Sequence, residues 1–154
     1  MRKNEIAAPP SRIWVVAADA ARARIFRAGR RDGGLTEIED LLNPDARDAG
    51  RSRRTDRLGH AANAARGGGH SLQRNADEPR QVLIEFGQRL ARRLTDARRR
   101  GEFDRVYLVA EPRLLGVVRD GLDRATRKLL AGAVAKDVSR RGAATIRQRL
   151  PERL

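Results

Sequence analysis

Three consecutive glycines beside basic residues are the part of this chain best suited to bind a polyanion. The run consists of Arg66, Gly67, Gly68, Gly69, His70 and Ser71. Glycine has no side chain to bury and loses much conformational entropy on folding, so the run does not belong to a core. Bare backbone N–H groups beside a cation let the chain lie close against a phosphate or a sugar. A plain flexible connector is the alternative interpretation.

His70 is the one residue of this run that could act as a catalytic base. An imidazole changes its charge near neutral pH, as a general base must. A base of this kind also needs a group that orients it, and the sequence near His70 holds no carboxylate for that purpose. A contact to a phosphate or a nucleobase is therefore the favoured role, and no firm catalytic residue is predicted.

Arginines precede and follow the glycine run. Residues 51–74 hold six arginines against the single acid Asp56, and residues 80–100 hold seven against Glu85 and Asp96. A polyanion that contacts both stretches would release counterions, so binding should weaken steeply with salt. The residues that we expect to contact RNA are Arg51, Arg53, Arg54, Arg57, Arg66, Gly67, Gly68, Gly69, His70, Ser71, Arg74, Arg89, Arg92 and Arg93.

The overall charge supports a polyanionic partner. The 154 residues carry a net charge of +14, which makes nucleic acid and acidic membrane surfaces the first partners to consider. Nearly all the basic residues are arginines, which suit bidentate contacts to phosphate. Aromatic residues make up only 3% of the chain, so stacking on single-stranded bases is poorly provided for. Structured RNA recognised by its shape and backbone fits this composition better.

Metal and cofactor chemistry has little support in the sequence. The chain has no cysteine and only two histidines, so we predict no disulfide, no metal site and no cofactor. A two-metal nuclease would need carboxylates gathered at the ends of strands. The candidates for such a cluster are Asp19, Glu39, Asp40, Asp104 and Asp137. Ordinary turn chemistry is the commoner role for an aspartate such as Asp19, so a nuclease is disfavoured.

The expected location is the cytoplasm. The first residues contain no apolar stretch of the kind found in signal peptides, and no run approaches the 18 apolar residues of a membrane span. Residues 1–11 are predicted to be a disordered leader that closes with Pro9 and Pro10. The oligomeric state cannot be read from the sequence.

Hydrophobic patterns predict one α/β domain over residues 12–140. Three strands come first, near residues 13–18, 22–27 and 35–42, and a long basic loop follows over 43–78. Acids and Pro79 predict a helix start at Asp77, and its apolar face consists of Leu83, Phe86, Leu90, Leu94 and Ala97. A strand at 104–110, a helical region interrupted at Gly121 and a short strand at 133–135 come next. Residues 141–154 read as a basic helix or tail.

The element order is β-β-β, loop, α, β, α, β. This order predicts a mixed sheet of about five strands with helices packed on it, as in RNase H-like folds.

The order and spacing of several motifs give the chain a family resemblance. It resembles the bacterial "protein required for attachment to host cells" family, which in turn is similar to the middle domain of archaeal and eukaryotic peptide-release factors. The resemblance covers residues 13 to about 138. The motifs that carry it are Trp14–Asp19, Ala23–Phe26, Leu41–Arg47, Asp56–Arg57, Arg66–His70, Phe86–Leu94, Phe103–Pro112 and Leu114–Gly116.

The resemblance implies a release-factor-like module that binds the ribosome or structured RNA. In release factors, a Gly-Gly-Gln tip in the corresponding loop positions the water that hydrolyses peptidyl-tRNA. The matching residues here are Gly68, Gly69 and His70, with histidine in place of the glutamine. Two alternatives stay open: a host-attachment or surface-interaction protein that acts indirectly, and a peptidyl-tRNA esterase that uses the Gly-Gly-His loop.

Overall fold

The computed structural model describes residues 11–29, 33–46 and 69–154, of which residues 69–76 are described by their backbone alone. Nine elements have both of their ends within these ranges. They are β1 (Ile13–Ala18), β2 (Arg22–Ala28), β3 (Leu35–Leu42), α1 (Gly69–Arg99), β4 (Arg105–Ala110), α2 (Pro112–Gly121), α3 (Arg124–Lys128), β5 (Leu130–Ala135) and α4 (Ala143–Arg147).

The strands form one mixed sheet in the order β3-β2-β1-β4-β5. β1 pairs antiparallel with β2, and β2 pairs antiparallel with β3, whereas β4 runs parallel to both β1 and β5. This arrangement confirms the predicted α/β class and the mixed five-stranded sheet. The two central strands β1 and β4 are apolar along almost their whole length because both of their faces are covered.

Each face of the sheet has its own hydrophobic core. On one face, Trp14 and the predicted apolar stripe of α1 pack with α2 through residues such as Leu114 and Val118. On the other face, Phe26 and Tyr107 pack against Ile146 of α4 and against Leu150. The long helix therefore lies on the opposite face of the sheet from the C-terminal segment.

A β-bulge in β3 decides where two of its acids point. Ile25 of β2 faces Glu39 and the next residue, Phe26, faces Glu37, so Ile38 has no opposite residue in β2. In a regular strand, residues 37 and 39 would lie on the same face. The extra residue sends them to opposite faces of the sheet, and each acid meets a different arginine there.

The first turns of α1 correct a boundary predicted from the sequence. The helix begins at Gly69, not at Asp77, and Pro79 lies inside it. A proline in a helical pattern marks a probable boundary, but here the helix passes through it. Consequently the prediction that Gly69, His70, Ser71 and Arg74 belong to the loop is wrong, because their backbone is helical.

The second half of the chain follows the predicted order with small shifts. α2 ends at Gly121, where a break was predicted, and Asp123 starts α3 by accepting a hydrogen bond from the Thr126 N–H. The last strand is longer than predicted, since β5 covers Leu130–Ala135 and not only residues 133–135.

Candidate functional site

The predicted RNA-contacting residues fall into three groups. Residues 47–68 lie outside the described part of the chain, so the roles of one group stay predictions; this group is Arg51, Arg53, Arg54, Arg57, Arg66, Gly67 and Gly68. The second group lies in the first turns of α1 and consists of Gly69, His70, Ser71 and Arg74. The third group, Arg89, Arg92 and Arg93, projects from the well-packed part of α1.

Arg93 is engaged inside the protein and is not available to a phosphate. Its Nη2 lies 2.7 Å from Oε2 of Glu39 and 3.4 Å from Oε2 of Glu102. The guanidinium also lies over the Trp14 ring, 5.4 Å from the centroid. The hydrogen bonds that Arg93 donates to Glu39 raise the pKa of Arg93 above its ordinary value. We conclude that Arg93 anchors β3 to α1.

Arg89 is partly engaged and Arg92 is free among the described residues. The Arg89 guanidinium lies 5.0 Å from the centroid of the Phe86 ring and donates to the Leu42 carbonyl at the end of β3. Arg92 is exposed and makes no hydrogen bond or ion pair within the described ranges. These two residues are three apart, so their side chains extend from neighbouring turns of the same helix.

A pocket of about 330 Å³ lies between α1 and the segment that follows β3. Its lining residues are Asn43, Asp45, Val82, Glu85, Phe86, Gln88, Arg89 and Arg92. Two cations and the Gln88 amide can donate hydrogen bonds to a phosphate oxygen. Asp45 and Glu85 would repel an anion. Oε1 of Glu85 accepts a hydrogen bond from Nε2 of Gln81 at 3.0 Å.

Asn43 builds one wall of this pocket. The residue is 5% exposed, and its Nδ2 donates to the Ala20 carbonyl at 2.8 Å. Its backbone N–H donates to the Ala21 carbonyl, also at 2.8 Å. These bonds fasten the end of β3 to the β1–β2 turn, so the pocket wall is fixed to the sheet.

The carboxylates considered for a nuclease are not gathered into one cluster. Asp40 pairs with Arg22 at 2.5 Å, and Asp104 pairs with Arg12 at 3.1 Å. Asp104 precedes β4, whereas Asp19 follows the parallel strand β1, so these two lie at opposite ends of the sheet. Among the described residues, no three potential metal ligands of the His, Asp and Glu types come together.

Asp19 has the turn role that its position suggested. Its Oδ1 accepts hydrogen bonds from the N–H groups of Ala21 and Arg22, at 2.7 and 2.9 Å, which closes the β1–β2 turn. Its Oδ2 lies 2.5 Å from the hydroxyl of Ser139, which is also 3.1 Å from Oδ1 of Asp137. These contacts join the carboxyl ends of β1 and β5.

Several acids are held in their ionised form by neighbouring donors. The Arg24 guanidinium hydrogen-bonds Glu37 and keeps the pKa of that carboxyl below its ordinary value. Arg24 also donates to the carbonyls of Ser139 and Arg141, at 3.0 and 2.8 Å. The pKa of Asp104 is likewise lowered by hydrogen bonds from the side chain and the backbone N–H of Arg12.

Every aromatic side chain of the protein is buried. The sequence contains five aromatic residues, and none of them is more than 6% exposed; they are Trp14, Phe26, Phe86, Phe103 and Tyr107. Base stacking requires an accessible ring. A nucleic acid on this surface would therefore meet guanidinium groups and backbone, not aromatic rings.

The family of the chain follows from a match that spans nearly the whole fold. A family profile described as "Protein required for attachment to host cells" matches residues 14–150, from β1 to beyond α4. The chain belongs to this family. The match supports the first half of the resemblance noted in the sequence, whereas nothing in the comparisons supports the likeness to release factors. No curated protein matches the sequence.

Two solved structures align weakly with this chain. A chain of the "PilM-PilN type IV pilus biogenesis complex" is 21% identical, with a TM-score of 0.44 over 91% of this chain and 42% of that one. The Ppx/GppA phosphatase of Aquifex aeolicus is 17% identical, with a TM-score of 0.29 over 80% of this chain and 35% of that one. This family member thus spans less than half of either structure, and likeness at this level does not indicate a function.

None of the helices in the described ranges combines the length and apolar content needed to cross a bilayer.

Proposed function

We propose that this member of the host-attachment family binds structured RNA by contacting the phosphate backbone of the RNA. The interface would consist of the pocket beside α1, with Arg92 and Arg89 as phosphate contacts, and of the basic segment 51–74. The observation that carries the proposal is that Arg92, without a partner among the described residues, lines one open pocket together with Arg89.

Charge and burial support the choice of a backbone contact. The net charge of +14 disfavours the free protein through self-repulsion and favours a polyanionic partner. Since all aromatic rings are buried, recognition of unstacked bases has no platform in this molecule. Phosphate contacts position a nucleic acid without reading its sequence, so we expect binding with little sequence preference.

Ribosome co-sedimentation at low and high salt tests the proposal. Wild-type protein should sediment with ribosomes at low ionic strength and be released at high ionic strength. Arg92→Glu should weaken the association while the fold is retained. Arg149→Glu is the matched control, because Arg149 is also exposed but follows α4 on the opposite face of the sheet. Arg66→Glu tests the basic segment in the same way.

Three results would refute the proposal. The first is wild-type protein that stays off ribosomes and off purified RNA duplexes even at low ionic strength. The second is an Arg92→Glu variant that binds as wild type does. The third is an equal loss in Arg149→Glu, which would mean that only net charge matters.

The attachment role would be indirect under this proposal. An RNA-binding protein would affect attachment through the expression of other proteins. Cell fractionation distinguishes an indirect role in attachment from a direct one, because a direct role requires the protein to be present in a washed outer-surface fraction. An esterase role is not proposed, since Gly69 and His70 start a helix and do not form the tip of a loop.

A further inference from the structure

The amino-terminal ends of the parallel strands carry a concentration of basic side chains. β1, β4 and β5 run in the same direction, so their first residues share one edge of the sheet. α1 also ends there, because the chain returns from Arg99 to the start of β4 within a few residues. We define the amino-edge surface by the exposed cations at this edge, which are Arg99, Arg100, Arg105, Arg124 and Lys128.

Contacts between elements fix the backbone from which these cations project. Arg98 joins the end of α1 to the start of α3, with Nε 3.0 Å from Oγ1 of Thr126 and Nη2 3.3 Å from Oδ2 of Asp123. The N–H groups of Asp104 and Arg105 both donate to the carbonyl of Arg12, which fastens the start of β4 to the start of β1. The backbone beneath the amino-edge surface is therefore joined to the sheet and to α1.

Four acids at this edge already have a basic partner, whereas the exposed Asp120 near the end of α2 forms no ion pair within the described ranges. Asp104 pairs with Arg12, and Asp123 pairs with Arg98. Glu102 is within 3.4 Å of both Arg93 and Arg100, and Asp96 lies 4.0 Å from Arg99. The side chains of Arg105, Arg124 and Lys128 make no hydrogen bond or ion pair with the described residues. The edge consequently keeps an uncompensated positive charge.

The opposite edge of the sheet is different. Glu111 follows β4 and Asp137 follows β5, and neither acid forms an ion pair within the described ranges. Cations such as Lys136 and Arg113 are thus interspersed there with acids that have no ion-pair partner among the described residues. Among the described residues, the unpaired cations at the amino ends of the strands outnumber the unpaired acids, so an extended anion would be attracted to that edge.

We propose that the amino-edge surface is a second contact for the phosphate backbone of double-stranded RNA. This inference rests on the proposed function and adds a surface to it. A membrane fits less well, because the exposed large apolar residues of the described ranges, Ile38 and Leu42, lie on β3 and not at this edge. With every aromatic ring buried, the surface offers cations without a stacking platform, which suits a duplex.

A salt series on the double variant Arg105→Gln/Lys128→Gln tests this surface. The probe is a fluorescently labelled RNA duplex of mixed sequence, and its anisotropy gives the dissociation constant. Each lost phosphate contact should reduce the slope of log K against log salt by about 0.9, so the double variant should lose about 2. At 0.1 M salt that corresponds to a weakening of roughly tenfold to a hundredfold.

The double variant Arg149→Gln/Arg153→Gln is the matched control. It removes the same charge from exposed positions that follow α4, and we expect the wild-type slope. Circular dichroism at each salt concentration checks that both variants are folded. If Arg105→Gln/Lys128→Gln does not fold, Arg124→Gln serves instead and should reduce the slope by about 1.

The outcomes separate this inference from the proposed function. Wild-type protein that binds no duplex at any salt concentration overturns both. Wild-type binding that needs Arg92 but is unchanged in Arg105→Gln/Lys128→Gln overturns the second contact only. Sedimentation with phosphatidylglycerol vesicles, lost in that double variant while duplex binding is retained, assigns the surface to a membrane and also overturns the inference.

Discussion

Gly87 lies where α1 crosses α2, and replacing it with alanine should destabilise the protein. A Cβ at this buried position would lie 2.5 Å from Cγ1 and 2.9 Å from Cβ of Val117, and 3.3 Å from Cδ1 of Leu114. Rotation of Val117 cannot relieve the clash, because its Cβ is fixed by the backbone and its χ1 is restricted in a helix. The two helices must therefore move apart.

Two opposing terms set the size of the effect. Overpacking of this kind costs about 1–3 kcal/mol, whereas alanine in place of glycine favours a helix by about 1 kcal/mol. The difference between the two terms is about 0–2 kcal/mol, and because rotation of Val117 cannot relieve the contact we expect the upper half of that range, so Gly87→Ala should lower the free energy of unfolding by about 1–2 kcal/mol. For a chain of this size the midpoint of thermal unfolding should fall by roughly 2–8 °C.

The same substitution at Gly116 should have the opposite sign. Gly116 lies in α2, and a Cβ there would meet no heavy atom within 4 Å. Only the helix propensity remains, so Gly116→Ala should stabilise the protein by about 0.5–1 kcal/mol. Urea titration followed by circular dichroism measures both variants.

A double-mutant cycle isolates the clash between the helices. Because Val117→Ala removes Cγ1, the double variant Gly87→Ala/Val117→Ala should be more stable than the sum of the single effects indicates. A Gly87→Ala protein that is as stable as wild type, or more so, would refute the reasoning. It would mean that α1 and α2 separate without cost.

Three further predictions concern two ion pairs and one set of arginine hydrogen bonds. Arg93→Met should cost about 1–3 kcal/mol of stability, because it leaves Glu39 half-buried and unpaired. The double variant Arg93→Met/Glu39→Leu should recover most of this loss in urea titrations. If it recovers none, the pairing of Arg93 with Glu39 does not stabilise the fold. The pKa of Glu37 is lowered in the folded state, so its contribution is complete above the unfolded pKa of about 4.3 and is lost as the pH falls through the folded value. In the Glu37→Gln variant, the free energy of unfolding should therefore fall less steeply as the pH decreases through that range. A dependence on pH equal to that of the wild type would contradict the stabilising role of Glu37. Arg147 donates to the Gly33 carbonyl at 2.8 Å and to two carbonyls of the C-terminal residues at 2.7 Å. Arg147→Ala should speed amide hydrogen exchange in both segments and not in β1, and uniform exchange would exclude this tether.

The pairing between residues far apart in the chain could not be predicted from the sequence. The pattern of β3 gives no sign that Ile38 is a bulge, yet this bulge determines that Glu39 meets Arg93 and Glu37 meets Arg24. A bulge depends on the register between two strands, which hydrophobic alternation within one strand does not contain. The arginines of α1 accordingly look equivalent in the sequence and are different in the fold.

The start of α1 shows the same limit for a local signal. Asp77, Glu78 and Pro79 are typical of a first helical turn, and nothing nearby indicates eight helical residues before Asp77. A proline in a helical pattern predicts a boundary only as a probability, because packing further along the helix can sustain it. The pocket beside Arg92 was equally hidden, since its wall at Asn43 is far from α1 in the chain.

The sequence by itself determined the α/β class, the two apolar central strands, the inward face of α1 and the excess of positive charge. These properties follow from composition and from short periodic patterns, which depend on neighbouring residues alone. Only the tertiary structure decided which cations remain free, because the acid that pairs with an arginine can come from a distant part of the chain. Arg92 and Arg93 are adjacent in the chain. The fold brings two acids to Arg93, whereas it leaves Arg92 open to solvent.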